Sequence, residues 1–428
     1  MDKFDVIIVG AGLSGLGAAY TLAGRGLEVL VLERGDYPGA KNVTGGRLYV
    51  NPVRHLFPDL FEHAPLERFI THEGVTLMAK DRSVSLDYSG RELREHPHQS
   101  FSILRAKFDR WLAEKVEEKG GIILTKTRVD DVIKESGHVT GVLAGEDELR
   151  ADVVVACDGA LSLLSEKAGL RAPGTPHDHA LGIKEVITLG ADRINDRFVL
   201  EGNEGTARLF VGEVTQGKFG GGFLYTNKES ISLGLVIGIE GVVSTEHFMD
   251  VPALLDNFKE RPEIAPLIKG GNTVEYSAHV IPEGGFKALG NLCGNGILTA
   301  GDAGGLALNI GFTVRGMEYA LASGYYAAKA IFKAKDAGKF DVETLSVYRQ
   351  LLERSFVLQD FRSFQETPAV IGNPRLFSHY PELAGNIMKG IYTVPSGPKD
   401  RIYPTLRKRL PLRELWSLFK DMREVMKI

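Results

Sequence analysis

The stretch from Asp5 to Glu33, DVIIVGAGLSGLGAAYTLAGRGLEVLVLE, constrains this chain more than any other. Val6 to Val9 form a short apolar run of the kind buried as a parallel strand. Gly10-x-Gly12-x-x-Gly15 follows, and then a helical pattern. A second apolar run, Val29–Leu32, ends in Glu33, 18 residues after Gly15. Each part has a physical job. Gly10 permits the tight turn, Gly12 lets backbone approach a pyrophosphate, and Gly15, with Ala19 one turn on, lets the helix pack close to the sheet. Leu13 and Ser14 open that helix, whose N-terminus faces the phosphates. Glu33 is placed to accept both hydroxyls of an adenosine ribose. A Gly-rich turn alone is weak, but strand, helix and acid in register predict a dinucleotide site. They do not separate NAD from FAD.

A chain of 428 residues predicts two or three subdomains around more than one core. Its net charge of −4 gives no bulk basic character for nucleic acid. Gly is abundant, at 50 residues, as suits backbone brought close to a large cofactor. The two cysteines, Cys157 and Cys293, cannot ligate an iron–sulfur cluster and read as buried free thiols of a reducing compartment. No signal peptide is apparent and no run of ~18 apolar residues exists to span a membrane. The expected location is the cytoplasm.

Along the chain, residues 1–35 read as βαβ and 36–49 as a Gly-rich loop. Residues 50–99 are polar, with strand-like pieces at Val75–Met78 and Ser83–Asp87. The His96-Pro97-His98 segment, like His177 and His179, has no carboxylate at ligand spacing, so no metal site is expected. Ser102–Lys119 reads as an amphipathic helix with Phe108, Trp111, Leu112 and Val116 as its stripe. Strand-like runs at Ala180–Thr188, Ala207–Phe210, Gly222–Tyr225 and Ile231–Ile239 predict a mixed or antiparallel sheet, broken by a helix near Val251–Lys259. Gly296–Ala300 returns to the first domain, and a helical run follows at Arg315–Ala334.

Three later elements decide the cofactor. Asp158-Gly159 ends one buried strand, and Gly301-Asp302 ends another, where open α/β sheets place ligand contacts. Leu308 to Thr313 leads into an expected helix from Val314, whose N–H groups around Gly311 and Phe312 would stabilise negative charge on a reduced flavin.

The order GxGxxG…Glu, Asp-Gly, Gly-Asp resembles the glutathione-reductase-type FAD fold of flavin hydroxylases and geranylgeranyl reductases. More narrowly, KNVTGGRLY (41–49), LRAKFDRWL (104–112), GGGFLYTNKESISLGLV (220–236), YSAHVIPEGG (276–285) and GDAGGLALNIGFTVRGMEYALASG (301–324) resemble the FixC and electron-transfer-flavoprotein:quinone oxidoreductase family, in its shorter FixC branch. The resemblance implies an α/β fold in three regions. A Rossmann-like FAD-binding domain (1–49, 100–172 and 286–338) is interlaced with a mixed α+β, mainly antiparallel second domain for quinone (50–99 and 173–285). A helical C-terminal region (339–428) follows.

The resemblance also implies roles. Gly10, Gly12, Leu13, Ser14 and Gly15 would meet the pyrophosphate, and Glu33, with Arg34 beside it, the adenosine ribose. Arg47, in a Gly45-Gly46-Arg47 turn, and Arg105 would neutralise or orient a non-covalent FAD. Val129 would hold adenine through its backbone. Asp158 and Gly159 would border the cofactor, Gly301 and Asp302 the ribityl chain, and Gly311 and Phe312 the flavin ring. Gly221, Gly222, Phe223, Tyr276, Gly284 and Gly285 are candidate walls of a quinone pocket. No catalytic side chain is assigned, because the flavin is the redox centre.

The family's longer members carry cysteines for a [4Fe–4S] cluster, whereas no cysteine follows Cys293 here. A small ferredoxin-like FixX/EtfX-type partner is therefore implied, with the alpha and beta subunits of electron transfer flavoprotein. The tail 401–428 carries eight basic and three acidic residues and an apolar stripe of Leu412, Leu415, Trp416, Phe419, Met422 and Met426. Such a helix lies on an anionic membrane, docks on a partner or packs on its own fold. The implied function is transfer of electrons from electron transfer flavoprotein to a membrane quinone at the cytoplasmic face. The alternatives are reduction of an isoprenoid double bond, or a relay or assembly role without turnover in a bifurcating complex.

Overall fold

A computed structural model describes residues 3–41, 46–244 and 249–427. Its centre is the strand Phe4–Val9, buried from Val6 onward. Val29–Leu32 pairs parallel on one side of it, with Ile122–Leu124 beyond; Asp147–Ala156 and then Ile297–Thr299 pair parallel on the other. Cys293–Gly294 closes that edge antiparallel. Apolar side chains point both ways, as a parallel sheet covered on both faces requires. Val6, Ile8, Val29 and Val31 pack under the helices Leu13–Leu22 and Met317–Ala337. Ile7, Val9, Leu30 and Leu32 pack against the hairpin Asp131–Glu135/His138–Ala144.

The second sheet has nine strands. Its order is Asn272–Pro282, His179–Thr188, Ser230–Gly238, Gly220–Thr226, Glu204–Gly212, Phe69–Met78, Ser100–Ile103 and Gly46–Tyr49, with Ser83–Ser89 on the free side of Phe69–Met78. All neighbours are antiparallel except Glu204–Gly212 with Phe69–Met78. Ile183, Leu224, Leu233 and Leu235 bury one face beneath the helices Ala191–Phe198 and Val251–Glu260. Alternation then turns Phe223 and Tyr225 to the opposite face.

Two expected boundaries shift. Gly46–Tyr49 and Ser100–Ile103, assigned above to the FAD-binding segments, pair with each other in the second sheet. The helix expected from Ser102 consequently starts at Arg105. Cys157 is buried, as expected, whereas Cys293 on the edge strand is only half-buried.

The C-terminal region is helical. Val347–Arg354 and Phe356–Ser363 place Tyr348, Leu352, Val357, Leu358 and Phe361 in the main core. His379–Tyr392 packs on the strands Phe69–Met78 and Ser83–Ser89. The last two helices, Ile402–Arg409 and Leu412–Val425, bury no residue. The final helix is tied down by polar contacts: Glu414 meets Arg375 at 3.1 Å and His379 at 2.6 Å, and Asp421 meets Arg375 at 3.0 Å. No helix among the described residues is long and apolar enough to cross a membrane.

Candidate functional site: two adjoining cavities

A cavity of about 800 Å³ runs along the C-terminal ends of the parallel strands. Gly10, Gly12, Leu13 and Ser14 line it where the first strand turns into its helix. The turn depends on missing side chains. Gly10 has φ +102°, and a Cβ there would sit 2.2 Å from the Cys157 carbonyl oxygen; one on Gly15 would sit 1.9 Å from the Gly10 oxygen. Gly15 therefore lies under the turn rather than in the cavity. A Cβ on Gly12 would meet nothing within 4 Å, so its backbone faces open space.

Glu33 borders the cavity at the end of its strand. Its Oε2 accepts from the Ala11 N–H at 2.9 Å and its Oε1 from the Gly35 N–H at 2.6 Å. Two backbone donors thus fix the carboxylate before any ligand arrives, and free lone pairs remain. Arg34 and Val129 border the same region. Asp302 borders the cavity beyond Ile297–Thr299, three strands away, which at strand spacing is about 14 Å. The separation suits an extended dinucleotide lying across the strand ends. Asp158 and Gly159 line the stretch between. Asp158 Oδ2 accepts from the Leu164 N–H at 2.9 Å, while its Oδ1 is buried without a partner. A buried acceptor left unmade inside a cavity marks where a ligand donor belongs. Burial also raises the Asp158 and Asp302 carboxyls above the usual carboxylate range.

Arg105 lines this cavity too, but its guanidinium is already held: Nε and Nη2 donate to the Asp109 carboxylate, each at 2.8 Å. Gly301 lies behind the lining; its N–H donates to Ser323 Oγ at 2.9 Å, and a Cβ would strike Ser14 Oγ at 2.5 Å.

Several expected placements differ. Val314 does not start a helix. Leu308–Asn309 and Val314–Arg315 form a small hairpin, and Gly311, at φ +86°, sits in its turn. The Asn309 carbonyl oxygen Oδ1 accepts from the Gly311 N–H at 3.0 Å, which fixes that turn. The helix begins at Met317, and its N-terminal residues Gly316 and Met317 border the large cavity. The helix end that faces the cavity is therefore at Gly316–Met317 and not at Gly311. Arg47 does not border the large cavity either; it lies in a strand, not a turn, and Gly45 falls outside the described residues. Of the proposed quinone walls, Gly221, Gly222, Phe223, Tyr276, Gly284 and Gly285 border neither cavity among the described residues. Gly222 faces Phe258 on the far side of the sheet, and Tyr276 is exposed on the edge strand. Phe223 comes nearest, stacking on Tyr225 at 5.4 Å.

Arg47 and Phe312 instead line a second cavity of about 310 Å³, which shares Val314 with the first. Its floor is the second sheet: Glu73 and Val75, Leu86 and Tyr88, Ala207 and Leu209, Tyr225, and Tyr49. Phe312, 71% exposed, stands at its mouth with Leu86 and Tyr88, both also exposed. Arg47 is buried. It donates from Nε to Ser100 Oγ at 3.0 Å and from Nη1 to Glu73 Oε2 at 2.8 Å, pairs through Nη2 with Glu73 Oε1, and lies 4.4 Å above the Tyr49 ring. Burial pushes the Tyr225 hydroxyl up to about 12 and raises Tyr49 as well, so both are protonated donors at neutral pH.

His279 is a cavity residue that the sequence reading did not single out, although it lies within the Tyr276–Gly285 segment that the resemblance marks as a wall. It lies on Asn272–Pro282, and burial lowers its proton affinity. Only the register of that strand against His179–Thr188 brings it over Asp302, and no local pattern announces it.

Comparisons with known proteins agree with this geometry. Residues 3–194 match the FAD binding domain model, and 368–428 match the ETF-QO/FixC family C-terminal domain. Protein FixC of Escherichia coli (strain K12) is 46% identical over 96% of this chain and 94% of its own length. The probable electron transfer flavoprotein-quinone oxidoreductase YdiS of the same strain is 43% identical, over 98% of this chain and 97% of its own. Among solved structures, a geranylgeranyl bacteriochlorophyll reductase-like protein from Thermoplasma acidophilum superposes with a TM-score of 0.73 at 19% identity, covering 98% of this chain and all of its own. The myxobacterial FAD-dependent halogenase CndH superposes with a TM-score of 0.64 at 18% identity, over 97% of this chain and 92% of its own. These two share the fold.

Proposed function

The chain belongs to the FixC/electron-transfer-flavoprotein:quinone oxidoreductase family, and we propose that it passes electrons from electron transfer flavoprotein to a membrane quinone. It is a FAD-dependent oxidoreductase. FAD supplies the two-electron redox centre when bound. In our reading the cofactor is non-covalent and lies across the strand ends. Gly10, Gly12, Leu13 and Ser14 cradle its pyrophosphate, and Gly15 shapes the turn beneath. Glu33 and Val129 hold the adenosine end, and Asp158, Gly159 and Asp302 the middle, with Arg34 and Arg105 as nearby positive charge. The Gly316–Met317 helix end favours negative charge at the redox end.

One observation carries the acceptor assignment: the smaller cavity adjoins the larger through Val314 and is walled by apolar and aromatic side chains around a single ion pair. Such a cavity suits a flat, largely apolar ring with polar atoms at its edge. Its mouth at Leu86, Tyr88 and Phe312 is exposed and apolar, as entry of a lipid-borne molecule requires.

With two cysteines the chain cannot hold a [4Fe–4S] cluster by itself, so the clusters belong on a FixX-type ferredoxin-like subunit. The tail supports a peripheral position on the membrane's cytoplasmic face. Ile402, Tyr403, Leu412, Trp416, Phe419 and Met422 are exposed beside a net charge of +5 over 401–428.

The test is reconstitution. Purified protein, reduced electron transfer flavoprotein, the small ferredoxin and a short-chain quinone are combined and flavin absorbance is followed. Reoxidation by quinone is expected. A flavin that stays reduced with quinone in excess overturns the reading, and reduction of a prenyl chain instead points to geranylgeranyl-reductase-like chemistry.

A further inference from the structure

We propose that Glu73 is the proton-exchange residue of the smaller cavity, drawing a proton from solvent and passing it to an oxygen of a quinone-class acceptor. The inference rests on reading this cavity as the acceptor site. Glu73 is the one carboxylate among its described lining residues. Burial raises the Tyr49 and Tyr225 hydroxyls, so both keep their protons at neutral pH. Gln99 is a neutral amide, and the Arg47 guanidinium is taken up by Ser100 and Glu73. Tyr88 is committed elsewhere, donating to Glu92.

Position supports the same role. The Glu73 side chain is 30% exposed while that of Arg47 is 6% exposed, so the carboxylate bridges solvent and a buried cation. Arg47 is clamped by Ser100 Oγ at 3.0 Å and by the Tyr49 ring, so it holds Glu73 in one orientation through two parallel contacts. Glu73 sits in the strand Phe69–Met78 opposite Tyr88 on one side and Ala207 on the other, which fixes its direction into the cavity. The ion pair is neutral as a unit. In the full reaction the two C=O groups of the quinone take up two electrons from the reduced flavin and two protons from water. Two O–H bonds form and the ring becomes aromatic. One of those protons travels by way of Glu73, which ends unchanged.

The test compares two acceptors on the FAD-loaded protein, with reduced electron transfer flavoprotein as the electron donor: a short-chain quinone, which takes up protons, and ferricyanide, which does not. Glu73→Gln is expected to lower kcat for quinone by about 100-fold and to flatten its pH profile. It should leave ferricyanide turnover and flavin content unchanged. Glu73→Asp keeps a carboxylate and should recover part of the quinone rate. Wild-type quinone turnover and pH profile in Glu73→Gln overturns the proposal, as does equal loss with both acceptors, which marks a structural role. If the wild-type protein reduces ferricyanide but not quinone, the acceptor reading itself fails.

Discussion

Gly46 and Arg47 are neighbours in one strand and border different cavities: Gly46 the large one, Arg47 the small one. Strand alternation is the cause, since successive residues face opposite sides. A strand of four residues therefore forms part of the partition between the cofactor region and the proposed acceptor region. Gly46 has no side chain to intrude on the first, and Arg47 places a charge in the second.

Glu33 organises its surroundings before it meets a ligand. Glu33→Ala leaves the Ala11 and Gly35 N–H groups without their acceptors, at a cost of about 1–3 kcal/mol each. The cofactor-free protein should unfold at lower denaturant concentration and bind FAD more weakly. Glu33→Gln retains one acceptor oxygen and should be milder. Chemical denaturation and flavin fluorescence titration read the two effects separately.

Arg105 meets Asp109 through two parallel hydrogen bonds, and the Asp109 side chain is fully buried. Arg105→Ala removes the guanidinium from beside a carboxylate buried in the core and should cost about 3–5 kcal/mol in urea denaturation of the cofactor-free protein. Asp109→Asn should cost less, since it removes the buried charge and keeps a polar partner. If the two variants show equal losses of FAD affinity and no loss of stability, Arg105 acts on the cofactor directly.

Glu283 follows the edge strand Asn272–Pro282. Burial pushes its carboxyl up to about 7, partly offset by a hydrogen bond from Asn309. The folded value lies above the ordinary 4.5, so the folded state binds this proton more tightly than the unfolded chain does. The stability it contributes is complete below about 4.5 and is lost as pH rises through about 7. Glu283→Gln keeps an acceptor for Asn309 without the charge. Thermal unfolding should show the variant matching wild type near pH 4.5 and exceeding it at pH 8.

Trp416 and Phe419 stack at 5.9 Å on the outer face of the last helix, both exposed. Replacing both with Glu should abolish flotation with vesicles rich in anionic lipid while leaving flavin absorbance intact. Undiminished flotation would count against a membrane role for that helix.

The nucleotide half of the fold is legible in sequence because its constraints are local. Gly10, Gly15 and Glu33 lie within one βαβ unit, and the turn permits no side chain at the first two. Asp158 and Asp302 are legible as acids at strand ends. The second cavity is not, because register in the second sheet brings Arg47, Glu73 and Tyr225 together from three distant segments, and Val314 joins them from a separate hairpin. The resemblance pointed to Gly221–Phe223 and Tyr276–Gly285 as pocket walls. Alternation buries Gly222 on the far face, and the edge position of Asn272–Pro282 leaves Tyr276 in solvent, while Ala278 to Ile281 of the same segment line the large cavity. The helix expected at Val314 failed for a local reason: the left-handed Gly311 closes a hairpin that uses Val314 and Arg315 as strand.

The parallel pairing of Asp147–Ala156 with Ile297–Thr299 has a consequence for how the protein is made. Most of the second sheet lies between those strands in the chain. During synthesis the βαβ unit emerges first, yet the Gly301–Asp302 end of the cavity exists only after the second sheet has been translated. Non-local pairing of this kind is slow to form. The whole cofactor cavity is therefore complete only late in synthesis, and flavin supply should govern how much holoprotein accumulates more than whether the chain reaches its fold.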